Sequence, residues 1–133
     1  MKLAFADTYF YLALLNPGDA GHLAARGASD EFSGRLLTTQ WILAEVADAL
    51  CRPGDRARFL WLIDTIIADP NVTIVAADDR LFNRGVDLFR GRPDKDWPLT
   101  DCTSFVVMED AGVNAAFTAD MHFEQAGFIA LLK

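Results

Sequence analysis

The sequence predicts an α/β fold, with a central parallel sheet of four to five short strands flanked by helices in three layers. Three observations carry this. Short apolar runs recur along the chain: "KLAFA", "RLLTT", "VTIVAA" and "AAFTA". Longer segments with apolar residues at helical spacing separate them. The runs are also apolar throughout instead of alternating, as in strands covered on both faces, which is the situation of a parallel sheet. The crossovers between them are expected to be right-handed.

The elements follow in order. Residues 2–6 read as the first strand, and 7–16, "DTYFYLALLN", as a helix stopped by "NPGD". Residues 19–33 are weakly amphipathic and helical, and 35–39 form the second strand. The segment 39–52, "TQWILAEVADALCR", is a strong helix with Thr39 as its cap and "RPGD" as its stop. Residues 55–69 form another helix, with Phe59, Leu60, Leu62, Ile63, Ile66 and Ile67 at helical spacing. A third strand spans 72–77, and an Asp-capped helix spans 78–91. After a loop at 91–99 comes a helix over 100–112, stopped by Gly112. A fourth strand covers 115–119 and a short fifth lies at 128–132. Trp41, Phe59, Trp61, Phe82 and Phe89 fall on these helices and are expected mostly in the core.

The 133 residues read as one domain, 1–133, long enough to bury a real core. No apolar run reaches the ~18 residues needed to span a membrane. The opening "MKLAFADTYFYLALL" reads as strand then helix instead of a signal peptide, because Asp7 interrupts it and no small-residue cleavage site follows. Cys51 and Cys102 form no C-x-x-C pair and read as buried free thiols in a reducing cytoplasm. His22 and His122 are too far apart for a paired-histidine zinc motif. The net charge of −7 argues against a basic nucleic-acid grip over the whole surface.

In open parallel sheets, ligands bind outside the carboxyl ends of the strands. Asp7 follows the first strand, Asp120 follows the fourth, and Asp101 opens the helix that leads into the fourth. Glu45 interrupts the apolar helix after strand two and is long enough to reach back toward the sheet edge. Each acid also has a plainer role open to it. Asp7 and Asp101 stand where helix starts are capped. Asp120 can serve a turn, and Glu45 can share a solvated stripe with Asp48. If the four converge, like charges raise one another's pKa, and a hard divalent cation with oxygen ligands, Mg2+ or Mn2+, relieves this. No histidine or thiolate is expected among the ligands, which argues against zinc.

The blocks "FADTYFYLALL", "ILAEVADAL", "LTDCTSFVVM" and "AFTADMHFEQAGF", in this order and spacing, resemble a PIN domain, most closely the VapC-like toxins of bacterial toxin–antitoxin pairs. The resemblance covers essentially the whole chain. "TDCTSF" with "TAD" and "HFEQAGF" is its more specific part, and "EV" on a helix is weak alone. It implies a cytoplasmic, Mg2+- or Mn2+-dependent endoribonuclease acting on structured RNA of the tRNA or rRNA type. It implies a cognate antitoxin laid across apolar surface near the site, a homodimer, and no membrane. It implies Asp7, Glu45, Asp101 and Asp120 as the metal-holding catalytic acids. Thr8 and Ser104 match polar positions that steady such a site, though Ser104 can also bond locally within its helix. Met121 stands where many relatives carry a basic residue. His122 is open to three roles: touching RNA, orienting Asp120, or lying at the surface beside Phe123.

Phosphate binding normally uses Lys and Arg. In 78–96, Arg80, Arg84, Arg90, Arg92 and Lys95 are balanced by Asp78, Asp79, Asp87, Asp94 and Asp96. Arg80, Arg84 and Lys95 are the candidate RNA contacts in this mixed segment. Setting the four clustered acids aside leaves −3 of the −7, and a weak general grip points to recognition of one RNA shape. Two other classes compete. One is a catalytically inactive RNA- or protein-binding module of the same fold. The other is a phosphoaspartate protein, which lacks support because Tyr9 stands where a phosphatase needs a second Asp and the only late Lys is Lys133.

Overall fold

The computed structural model describes residues 2–133. Strand β1 (Lys2–Ala6) leads into α1 (Thr8–Leu15) and α2 (His22–Glu31), and β2 (Gly34–Thr39) leads into α3 (Gln40–Ala49) and α4 (Arg56–Ala68). Strand β3 (Val72–Val75) leads into α5 (Asp79–Gly91) and α6 (Leu99–Ala111), and β4 (Ala115–Phe117) leads through α7 (Met121–Gln125) to β5 (Ile129–Ala130). The five strands form one sheet in the order β3-β2-β1-β4-β5, with every pairing parallel. The expected three-layer α/β architecture is therefore present. Among the described residues, no helix is long and apolar enough to cross a membrane.

The strand order sets where a ligand can sit. The chain steps from β1 to β2 to β3, then returns past β1 to lay down β4 on its other side. Right-handed crossovers place α5 and α6 on the face opposite α1 to α4. The order reverses at β1, so the crevice for a ligand opens at the carboxyl ends of β1 and β4. The carboxyl-terminal part of the central strand is fully covered: Ala4, Phe5 and Ala6 are at most 1% exposed.

Side-chain chemistry explains the helix starts. Asp7, Thr39 and Asp78 each accept a hydrogen bond from the backbone N–H three residues on, which caps α1, α3 and α5. Helix α6 departs from expectation. It opens at Leu99 behind an extended Pro98 that makes no side-chain cap. Asp101 thus lies inside the first turn and is not the cap, so its side chain is available for another partner. The helix ends at Gly112, whose φ of 67° is the left-handed conformation that glycine adopts without strain. Helix α7 was not anticipated from the sequence; it is a single short turn capped by Asp120.

Helix α6 is buried on all sides from Cys102 to Met108. It approaches α5 closely at Gly85, where an added Cβ would lie 2.6 Å from Thr103 Cγ2. An aromatic cluster lies under the crevice. Phe105 on α6 meets Phe123 on α7 edge to face, with ring centroids 5.0 Å apart, and Trp97 meets Phe105 in the same way. Phe10 on α1 stacks on Phe117 of β4 at 5.1 Å. These contacts fix the helices that carry the acids.

Two expectations about burial are corrected. Trp61, Phe82 and Phe89 are exposed, while Trp41 and Phe59 are half-buried. The inward stripe of α4 is Leu62 and Ile66, and that of α5 is Leu81 and Gly85, so the aromatic neighbours are rotated off it. Cys51 is likewise exposed, because it lies beyond the end of α3, whereas Cys102 is a buried free thiol.

Candidate active site

Asp7 stands where β1 becomes α1. Its Oδ1 accepts the Phe10 N–H at 3.0 Å and so caps α1. The side chain is buried. Burial pushes its carboxyl up to about 7, hydrogen bonds from Thr118 and the Phe10 amide oppose this, and the charges of Asp101 and Asp120 push it further up.

Asp101 points from the first turn of α6 to the same place. Burial raises it to about 6, a hydrogen bond from His122 draws it down, and Asp120 and Glu45 push it up. Asp120 caps α7: its Oδ1 accepts the His122 N–H at 2.9 Å, and its own N–H is held by Thr118 Oγ1 at 3.0 Å. Glu45 lies on the exposed side of α3 and reaches to the start of α1, where Oε1 accepts the Thr8 hydroxyl at 2.6 Å. The three aspartates and Glu45 therefore influence one another electrostatically, although they come from four separate segments. Among the described residues, no Lys or Arg forms an ion pair with any of them.

His122 lies closer to the acids than expected. Its Nδ1 is 3.0 Å from Asp101 Oδ2 and 3.4 Å from Asp120 Oδ1. Asp101, Asp120 and His122 each offer a ligand-type atom within 4.8 Å of the others. Of the three roles open to His122, its position beside both carboxylates matches the orienting one. The missed residue is Thr118, fully buried, whose hydroxyl serves both Asp7 and the Asp120 backbone. The "TAD" spacing carries its signal, since a Thr two residues before an Asp readily bonds the Asp N–H.

Other sequence candidates are placed differently. The Ser104 hydroxyl donates to the Thr100 carbonyl at 3.0 Å, because a serine inside a helix finds its i−4 carbonyl nearest. Arg84 makes a two-pronged ion pair with Asp110, and Arg80 adds its field to the same acid. Lys95 lies 3.9 Å from Asp94, which also holds Arg92. Arg84 and Lys95 would have to leave an acid to meet a phosphate.

The donor set fits a hard divalent cation. The carboxylates are those of the buried Asp7, the half-buried Asp101, and Asp120 and Glu45 beside them, and burial and neighbouring acids raise both Asp7 and Asp101 above the ordinary carboxylate range. A divalent cation would offset the repulsion among them.

No protein-family model matches the chain. The chain is 30% identical over 128 residues to the 23S rRNA-specific endonuclease VapC20 of Mycobacterium tuberculosis, in each of two strains, covering 96% of this chain and 96% of the relative. Its fold matches the crystal structure of Mycobacterium tuberculosis VapC20, described as a sarcin–ricin loop cleaving toxin, with a TM-score of 0.87 and 24% identity over 96% of this chain and 97% of that one.

Proposed function

The chain belongs to the VapC family of endonuclease toxins, and on that footing we propose that it hydrolyses a phosphodiester bond in structured ribosomal RNA at the carboxylate cluster. The observation that carries this reading is the approach of Asp101 and Asp120 to within 4.8 Å of each other beside the strand-order reversal, with Asp7 near enough to feel both charges and Glu45 held by Thr8. Mg2+ or Mn2+ is the proposed cofactor, and Asp7, Glu45, Asp101 and Asp120 are the residues that would hold it. When bound, such an ion lowers the pKa of water and offsets charge on the departing oxygen.

The chain's own residues set up that chemistry. The Phe10 N–H and Thr118 orient Asp7, and burial keeps water from competing for it. Thr8 directs Glu45 toward the end of β1. The His122 N–H and Thr118 fix Asp120 at the start of α7. Hydrolysis breaks one P–O bond and forms one P–O bond to water, and no side chain is needed as nucleophile.

The substrate class rests on the relative's name as a 23S rRNA-specific endonuclease, and the sarcin–ricin hairpin is the first RNA to try. We assign the action to the cytoplasm, where ribosomes lie. A cognate antitoxin and a homodimer complete the proposal. Exposed Leu60, Trp61 and Ile67 on α4 support a surface that a protein partner covers.

The test incubates the purified chain with intact ribosomes and with the isolated hairpin, in Mg2+ or in EDTA, beside Asp101→Asn. A single Mg2+-dependent cut lost in the variant supports the reading. Absence of any cut in either RNA, or equal cutting by the variant, overturns it.

A further inference from the structure

We infer that His122 is a positioning residue that straps Asp101 to Asp120 through its ring Nδ1, and that it does not itself contact RNA or cation. The inference rests on the proposed role of these acids in holding a divalent ion.

Three contacts make the strap. Nδ1 lies 3.0 Å from Asp101 Oδ2 and 3.4 Å from Asp120 Oδ1, while the His122 N–H donates to the same Asp120 oxygen at 2.9 Å. One residue therefore holds carboxylates from the starts of two different helices, α6 and α7. Like charges at these positions repel, so their spacing needs a group that draws both inward. Among the described residues, the His122 ring is the one basic group within ion-pair distance of either acid.

The ring is itself well held. Phe123, the next residue, is buried and packs edge to face on Phe105 of α6 at 5.0 Å. That contact fixes α7 against the helix bearing Asp101, so the imidazole is presented from a rigid mount. The strap places the ring proton on Nδ1, where it donates to Asp101 Oδ2. Asp101 Oδ2 is thereby occupied and Oδ1 remains for another ligand. Partners that orient ligating groups in this way typically change metal affinity by about 10- to 100-fold when removed.

The test measures Mn2+ binding by calorimetry for the full chain, His122→Ala and His122→Asn, with thermal unfolding of each. The asparagine amide N–H stands where Nδ1–H stood, but it offers no second ring nitrogen. The strap predicts at least about tenfold weaker Mn2+ binding for His122→Ala and recovery to within about threefold for His122→Asn. Long-range 1H–15N NMR of the metal-free wild type should show the proton on Nδ1. Unchanged affinity in His122→Ala overturns the strap. Equal loss in both variants also overturns it, because it makes the ring a direct ligand. So does a ring protonated on Nε2 alone, and this readout stands even where His122→Ala fails to fold. A wild type that binds no Mn2+ yet shows Nδ1–H removes the cation reading and leaves the strap standing.

Discussion

The Thr8 hydroxyl donates to Glu45 Oε1 over 2.6 Å, joining the residue after Asp7 to a helix that follows a different strand. Glu45 is on the exposed side of α3, where a long side chain would otherwise sample many rotamers. Thr8→Val keeps the shape and removes the donor. It should weaken Mn2+ binding and cleavage by about five- to tenfold, the worth of one solvent-exposed hydrogen bond, with little change in unfolding temperature. Wild-type affinity and rate in Thr8→Val would show that Glu45 needs no guide.

Asp7 and Asp101 give the metal-free protein a distinctive pH dependence. Their folded values, about 7 and about 6, lie above the ordinary 3.8. Between about pH 4 and pH 7 the native state holds protons that the unfolded chain has lost, so stability must fall as pH rises through this window. Asp7 alone accounts for on the order of 3 kcal/mol. Denaturant melts in EDTA at pH 4.5 and 8 should show this loss, and Asp7→Asn should flatten it. Saturating Mn2+ should stabilise the protein more at pH 8 than at pH 5, since binding must expel those protons. A metal-free protein that grows more stable from pH 4.5 to 8 contradicts the assignment.

Thr118 serves two of the acids at once. Thr118→Val removes the hydrogen bond that opposes the rise of Asp7 and the acceptor of the Asp120 N–H. The pH midpoint for Mn2+ binding should move upward, and stability should drop by about 1–3 kcal/mol. Thr118→Ser should behave as wild type. A midpoint that does not move in Thr118→Val would detach Thr118 from the site.

Gly85 tests the packing that holds α6. A Cβ there meets Thr103 Cγ2 at 2.6 Å, inside contact distance. Gly85→Ala should cost about 1–3 kcal/mol despite the better helix propensity of alanine. Adding Thr103→Ser, which deletes the offending methyl, should recover part of the loss in urea melts. A neutral Gly85→Ala would mean that α5 and α6 slide apart freely.

Much of this was legible in the chain because the signals are local. "KLAFA" followed by Asp7 marks a strand and a capped helix in six adjoining letters, and both are present, the strand buried from Ala4 onward. Thr39 and Gly112 mark a helix start and stop for the same reason. Asp101 misled as a cap because Pro98, two letters upstream of Thr100, sets the true start of α6. The exposure of Trp61 and Phe82 depends on which stripe faces the sheet, and neighbouring residues on one helix differ by about 100°. His122 was named, but its contact with Asp101 depends on how α7 docks on α6, through the Phe105–Phe123 contact that no short pattern encodes. Arg84 read as a phosphate contact because its partner, Asp110, lies on another helix.

The most direct measurement titrates Mn2+ into the purified protein by calorimetry beside Asp101→Asn. The account predicts binding by the wild type and at least about tenfold weaker binding by a variant that is still folded. Equal binding by the two, or none by either, would contradict a cation held on these carboxylates and leave the fold without its proposed chemistry.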